Sequence, residues 1–178
     1  MSMSNTLIRP ATPADAATIV SLVQALALYE NEPLSSVKIT PADVLRDGFG
    51  NERRFEALIA ELHGEPVGFA LFFHNYSTWE GRAGIYVEDL FVLERARGHG
   101  LGRQLITALA AIADARGCKR LDLNVLDWNP TREFYHRIGI GHLKEWLPYR
   151  MTQPALAALA AQADRNWFPA CPRSAHAP

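Results

Sequence analysis

Apolar positions along the chain follow two rhythms, and the switches between them mark the predicted elements. "TLIRPAT" (6–12) has the extended pattern of a short strand. It runs into "TPAD", where Thr12 can cap a helix, Pro13 takes the first helical position and Asp15 closes a capping-box-like pattern. Ile19, Leu22, Val23, Leu26 and Leu28 then recur at helical spacing. The same phrase at 40–43 starts a shorter helix through Val44, Leu45 and Phe49. Two copies of a capping phrase are local chemistry, not an internal repeat.

Strand patterning takes over next. "FEALIAEL" (55–62) and "VGFALFFHNY" (67–76), joined by "HGEP", predict two strands around a tight turn. A loop carrying Trp79 and two glycines leads to a third strand, "GIYVEDLFVL" (84–93). A helix from about Gly100 to Arg116 presents Leu101, Leu105, Leu109 and Ile112 on one face, and Gly117 ends it. "RLDLNVL" (120–126) is a further strand, and "NPTREFYHRIG" (129–139) a short helix between Pro130 and Gly139. "HLKEWLPYRMT" (142–152) is expected to supply one or two final strands, and "QPALAALAAQADR" (153–165) a last helix. The layout is mixed α/β, with helices packed on a central sheet. Residues 1–165 read as one domain, and 166–178, with little to bury, as a disordered tail.

Composition narrows the class. The 178 residues are 48% hydrophobic and 21% charged, as in a folded domain of ordinary size. A net charge of −1 supplies no basic field for nucleic acid or an anionic membrane, and no apolar run reaches spanning length. The first residues lack a leader-like apolar core. Cys118 and Cys171 lie far apart, which fits a reducing compartment. His63, His74, His99, His136, His142 and His176 show no metal-binding spacing. The expectation is a soluble cytoplasmic protein with no metal, nucleic-acid or membrane partner.

The chemistry concentrates in three places. "RARGHGLGRQ" (95–104) sets Gly98, Gly100 and Gly102 between a strand and a long helix, the recipe for an anion site built from bare backbone N–H groups. The spacing is GxGxG, with Arg103 where a dinucleotide motif wants its third glycine, and GxxxxGK[ST] is absent. "YVEDLFV" puts Glu88 and Asp89 inside an apolar strand. Neighbouring strand residues face opposite sides, so at most one carboxylate is expected in a given pocket, where burial would raise its pKa toward that of a useful base. A wet edge, or bonds to backbone N–H groups, is the alternative for that carboxylate. Tyr135 in "REFYHRIG" offers a phenol able to protonate a leaving group, with Phe134 and Ile138 facing the core, or else a packed ring with a satisfied hydroxyl. No GxSxG elbow exists, and Cys118 is expected to be buried and inert.

"RGHGLG" (97–102) matches the [QR]-x-x-G-x-[GA] signature of the GNAT N-acetyltransferases, and the chain resembles that superfamily over about residues 7–160. "IRPAT", "LALYE", "DVLRDGFG", "VGFALFF", "YVEDLFV" and "NVLDWNPTREFYHRIG" are similar to its diamine (spermidine/spermine-type) branch. The resemblance implies a GNAT fold, a central mixed twisted sheet of six to seven strands with helices on both faces. It implies acetyl-CoA as co-substrate, attacked directly by an amine in a ternary complex. Backbone N–H groups from Arg97, Gly98, His99, Gly100, Leu101 and Gly102, with charge from Arg95, Arg97 and Arg103, would hold the diphosphate. The strand at Phe91, Val92 and Leu93 would pair with the pantetheine arm, and Asn129 and Tyr135 would touch the cofactor. Glu88 would act as base through water and Tyr135 as general acid to the thiolate. Tyr29, Glu30, Trp79, Glu88 and Asp89 would face a small cationic acceptor, a diamine, polyamine or lysine analogue; Glu32 and Glu80 belong either to that entrance or to solvated loops.

The family pattern is not followed everywhere. The Asn129-to-Tyr135 interval is one residue shorter than the commonest spacing, Ser77 stands where the branch often carries aspartate, and Ile140 replaces a usual Phe. The resemblance also implies a homodimer built on the C-terminal strands and helix. A peptide or protein amine as acceptor, and a non-catalytic acyl-CoA-binding regulator, stay open as alternatives.

Overall fold

Five strands form one sheet in the order in which the chain makes them: β1 (Thr6–Pro10), β2 (Glu56–Leu62), β3 (Glu65–Ser77), β4 (Arg82–Val92) and β5 (Leu121–Leu123). The first four pair antiparallel, and β5 runs parallel to β4. The computed structural model describes residues 5–163. The predicted tail at 166–178, with Cys171 and His176, and the end of the last predicted helix lie outside the described residues. Residues 1–127 and 128–178 group as two compact units, and each is described by itself.

Local chemistry accounts for the first unit's elements. Between β2 and β3, His63 (φ 54°) and Gly64 (φ 82°) both adopt the left-handed conformation that a two-residue type I′ hairpin requires. Helix α1 (Ala16–Tyr29) follows a single 3-10 turn, Pro13–Asp15. Asp15 accepts from the Thr12 N–H at 2.7 Å and its hydroxyl at 2.8 Å, while both its oxygens take the Arg9 guanidinium at 2.8 Å. The Arg9 Nε reaches Glu61 at 2.7 Å, so one arginine ties β1 to β2 and to the start of α1. That guanidinium, helped by Thr12 and opposed by burial, holds the Asp15 carboxyl well below the usual carboxylate range. Helix α2 (Pro41–Phe49) begins with a capping box: the Thr40 N–H donates to Asp43 at 2.9 Å and the Asp43 N–H to Thr40 Oγ1 at 3.2 Å.

The sheet is covered on both faces. Ala16, Ile19, Val20 and Leu22 of α1 and Val44 of α2 pack against Ala57, Ile59, Phe69, Leu71 and Phe91. Strand alternation turns Leu58, Ala60, Ala70 and Phe72 to the other side, where α3 (Leu101–Ala115) lies against β1 to β4 with Leu101, Leu105 and Leu109 buried. The expected mixed α/β architecture is therefore present, with five strands among the described residues in place of six or seven.

The missing strands are those expected over 142–152. That segment carries a turn at Lys144 and Glu145 and no strand, and several of its large apolar side chains face solvent, with Leu147 72% and Tyr149 91% exposed. A strand forms only where its backbone groups find a neighbour, and apolar content does not supply one. The second unit carries α4 (Arg132–Arg137) and α5 (Ala155–Ala160). In α4 Tyr135 is buried, while Phe134 and the C-cap Ile138, expected to face the core, are half-buried. A helix of fewer than two turns has its facing set by its flanks, not by its period. Among the described residues no helix is long and apolar enough to cross a membrane.

Candidate active site

A register fault in β4 builds the site. Leu71 pairs with Asp89, but the next residue, Phe72, pairs with Val87, which leaves Glu88 as an extra residue opposite no partner. This is a β-bulge, and it breaks alternation. Val87 faces the α3 side with Phe72, whereas Asp89 joins Leu71 on the α1 side, and Glu88 lines the same pocket. The expectation that only one of the two carboxylates could enter a pocket is thus corrected: the bulge admits both.

That pocket has a volume of about 430 Å³. Its walls come from the end of α1 (Leu26, Ala27, Glu30), from the segment before α2 (Ser36 to Ile39), and from Leu71, Glu88 and Asp89 on the sheet. Burial, then the neighbouring charges of Glu88 and Glu30, push the Asp89 carboxyl up to about 6. Burial, with Glu32 beside it, also raises Glu30. Glu88 itself is solvent-exposed. Several acids held close together in a half-apolar pocket repel one another, and an incoming ammonium relieves that repulsion.

Beyond Val87, β4 and β5 part company, because their parallel pairing covers only Ile85 to Val87. Among the described residues the β5-side edge of β4 therefore has no partner strand from Glu88 onward. Leu93 is already committed: its N–H donates to Val67 O at 2.8 Å, and its carbonyl accepts from the Ala96 N–H at 2.9 Å. Phe91 and Val92 are buried side chains, and the Phe91 ring centroid lies 6.0 Å from that of Tyr29.

The glycine loop follows. Gly98 (φ 84°) and Gly100 (φ 76°) occupy left-handed backbone, and Gly100 caps α3 with no side chain to receive its first-turn N–H groups. Gly102 differs, since its φ is not positive and a Cβ there would meet nothing within 4 Å. Neither strain nor crowding by the protein explains a glycine in the first turn of a helix, and first-turn N–H groups without a side-chain cap suit a diphosphate. Gly102→Ala is accordingly expected to raise folding stability by about 0.5–1 kcal/mol while raising the KM for the acyl donor, a split that thermal melts and initial rates together would expose.

Arg97 is engaged within the fold. Its guanidinium carbon sits 4.4 Å from the Tyr29 ring centroid, and its Nε donates to Val92 O at 3.2 Å. The His99 Nδ1 lies 3.2 Å from Arg97 O and 3.3 Å from Ala96 O, and because carbonyls only accept, Nδ1 carries the proton. Arg95 pairs at the surface with Glu65, and Arg103 is exposed. Of the residues expected at the acceptor entrance, Glu30 lines the pocket, whereas Tyr29, packed on Phe91 and Arg97, and Trp79, 88% exposed in the β3–β4 turn, are not part of its lining. Ser77 has a local task there, accepting the Glu80 N–H at 3.2 Å.

Asn129 and Tyr135 belong to the second unit. The Asn129 Oδ1 accepts from both the N–H and the hydroxyl of Thr131, at 2.9 and 2.8 Å, and so organises the start of α4. Tyr135 is fixed through its backbone, donating to Thr131 O and accepting from Ile140 N–H. Sequence reasoning missed Lys38, with its neighbours Val37 and Ile39, as pocket wall; the only trace was apolar–polar–apolar alternation in "VKI". Among the described residues no cluster of His, Cys, Asp and Glu is suited to a metal ion.

A model of the acetyltransferase (GNAT) family matches residues 22–140. The thialysine N-epsilon-acetyltransferase of Bos taurus is 37% identical over 172 residues, spanning 90% of this chain and all of that one. Spermidine/spermine N(1)-acetyltransferase-like protein 1 of Homo sapiens is 31% identical over 89% of this chain and 24% of its own length. Among solved structures, an integron cassette protein from the mobile metagenome of V. cholerae superposes with a TM-score of 0.73 at 28% identity, covering 89% of this chain and 99% of that one.

Proposed function

The chain belongs to the acetyltransferase (GNAT) family and is an N-acetyltransferase, and on that premise we propose that it moves the acetyl group of acetyl-CoA to a primary amine of a small cationic acceptor. The observation that carries this reading is the bulge that turns Glu88 and Asp89 into one pocket with Glu30. A pocket so rich in carboxylates selects cations, and its volume suits a single small molecule better than a folded protein surface.

In this reading the amine nitrogen bonds to the acetyl carbon and the carbon–sulfur bond breaks. The ammonium proton leaves through water to Glu88, and the departing thiolate takes a proton from Tyr135. Asp89 and Glu30 hold the cation. The loop from Arg97 to Gly102 fits the diphosphate through backbone N–H groups, with Arg97 setting the loop's position by its stack on Tyr29. The edge of β4 beyond Val87, which no strand covers among the described residues and where the Val92 carbonyl already takes the Arg97 Nε, is suited to the pantetheine amides. Residues 1–165 would then work as one catalytic domain. The names of the related proteins, thialysine N-epsilon-acetyltransferase and spermidine/spermine N(1)-acetyltransferase-like protein 1, support a small amine as acceptor.

The test is a thiol-release assay with acetyl-CoA and a panel of diamines, polyamines, diamino acids and lysine-containing peptides. Turnover of small amines at kcat/KM well above the peptides is expected. A preference for peptides, or coenzyme binding without release of thiol from any amine, would refute the assignment.

A further inference from the structure

Lys38 stands in the wall of a pocket otherwise charged by Glu30, Glu32, Glu88 and Asp89. It forms no ion pair with any of the four. Val37 and Ile39 are half-buried and anchor the segment, whereas Lys38 between them is exposed. Two residues earlier the Ser36 hydroxyl donates to Glu32 at 3.3 Å, which brings that carboxylate to the same short wall. A receptor for a pure polycation has no use for such a lysine, because like charge across a small pocket is repulsive.

We propose that Lys38 makes this pocket a receptor for α,ω-diamino acids: its ammonium takes the acceptor's carboxylate while the acids opposite take the acceptor's amines. The inference rests on the small-amine reading above and sharpens it. A diamino acid carries a carboxylate and an ammonium together at one end of a short alkyl chain and a second ammonium at the other. The pocket presents the complement, one cation at the wall before α2 and the carboxylates Asp89 and Glu88 on the sheet. Thialysine has this charge pattern and spermidine does not, so Lys38 separates the two acceptor classes for which the related enzymes are named.

The experiment compares each diamino acid with its own decarboxylated diamine: ornithine with putrescine, and thialysine with the matching thioether diamine. For the wild-type enzyme the diamino acid is expected to have the higher kcat/KM. Lys38→Met should raise the KM for the diamino acid by about 10- to 100-fold, the worth of one charge-assisted hydrogen bond. The KM for the diamine should fall, because a repulsive charge has gone. Lys38→Arg should keep most of the diamino-acid affinity. Opposite signs for the two partners cannot come from a misfolded variant. If Lys38→Met moves both KM values the same way, or leaves the diamino acid unaffected, the proposal fails. Wild-type enzyme that acetylates diamines but no diamino acid also overturns it, with the small-amine reading intact; release of thiol with neither class refutes that reading itself.

Discussion

Replacing Tyr135 by Phe is expected to lower kcat by about 10²- to 10⁴-fold, the range for loss of a positioned general acid. Acetyl-CoA affinity should change little, because the ring survives and only the hydroxyl is lost. Tyr135 is buried, its ring centroid lies 5.2 Å from that of Phe134, and its backbone is bonded on both sides. The substitution therefore tests chemistry more than packing. A phenol titrates near 10 in water, so at neutral pH it is a filled proton donor that can meet a thiolate as it forms. Single-turnover rates and calorimetric titration with the coenzyme would separate the two effects. Full activity in the variant would remove Tyr135 from the acid role.

The second large effect concerns the two carboxylates that the bulge sets side by side. Glu88→Gln should act on kcat, by about 100-fold or more if Glu88 relays the proton. Asp89→Asn should act on the acceptor KM, by about 10-fold or more for a lost charge-assisted contact. Their pH profiles should differ as well. Burial and neighbouring acids push Asp89 from its ordinary 3.8 to about 6, and a cationic acceptor needs it ionised. The wild-type kcat/KM for the acceptor should therefore fall as pH drops through about 6, and the Asn variant should lose that step. The stability trend runs the other way. A carboxyl whose pKa is raised by folding favours the folded state while protonated, so its contribution declines as pH rises from 3.8 to about 6. Asp89→Asn should then be neutral or stabilising at pH 7, measured by chemical denaturation. An Asn variant with unchanged acceptor KM and an unchanged acid limb would assign that limb elsewhere.

Much of this site could be read from residue order, and what could not has a common cause. The glycine loop, both capping boxes, the tight turn at His63 and Gly64 and the stripe of α3 are governed by neighbours in the chain, where spacing speaks directly. The bulge is a relation between β3 and β4, visible only once Leu71 and Phe72 have chosen partners. The stack of Arg97 on Tyr29 joins residues far apart in sequence, and nothing in "RARGHG" announces that its second arginine lies over an aromatic ring. Lys38 passes without notice in the sequence because its place in a pocket wall depends on elements distant from it in the chain. The strands expected over 142–152 failed for the converse reason: apolar side chains suggested burial, yet burial needs a partner surface that composition cannot name.

The parting of β4 from β5 has a consequence of its own. A sheet that splays midway keeps a length of main chain able to bond with whatever is laid along it, and selection there reads amide spacing more than side-chain identity. Donors built on the same amide-bearing arm but carrying longer acyl chains should therefore dock as readily as the acetyl form, and discrimination among them must come from the room left at the pocket floor.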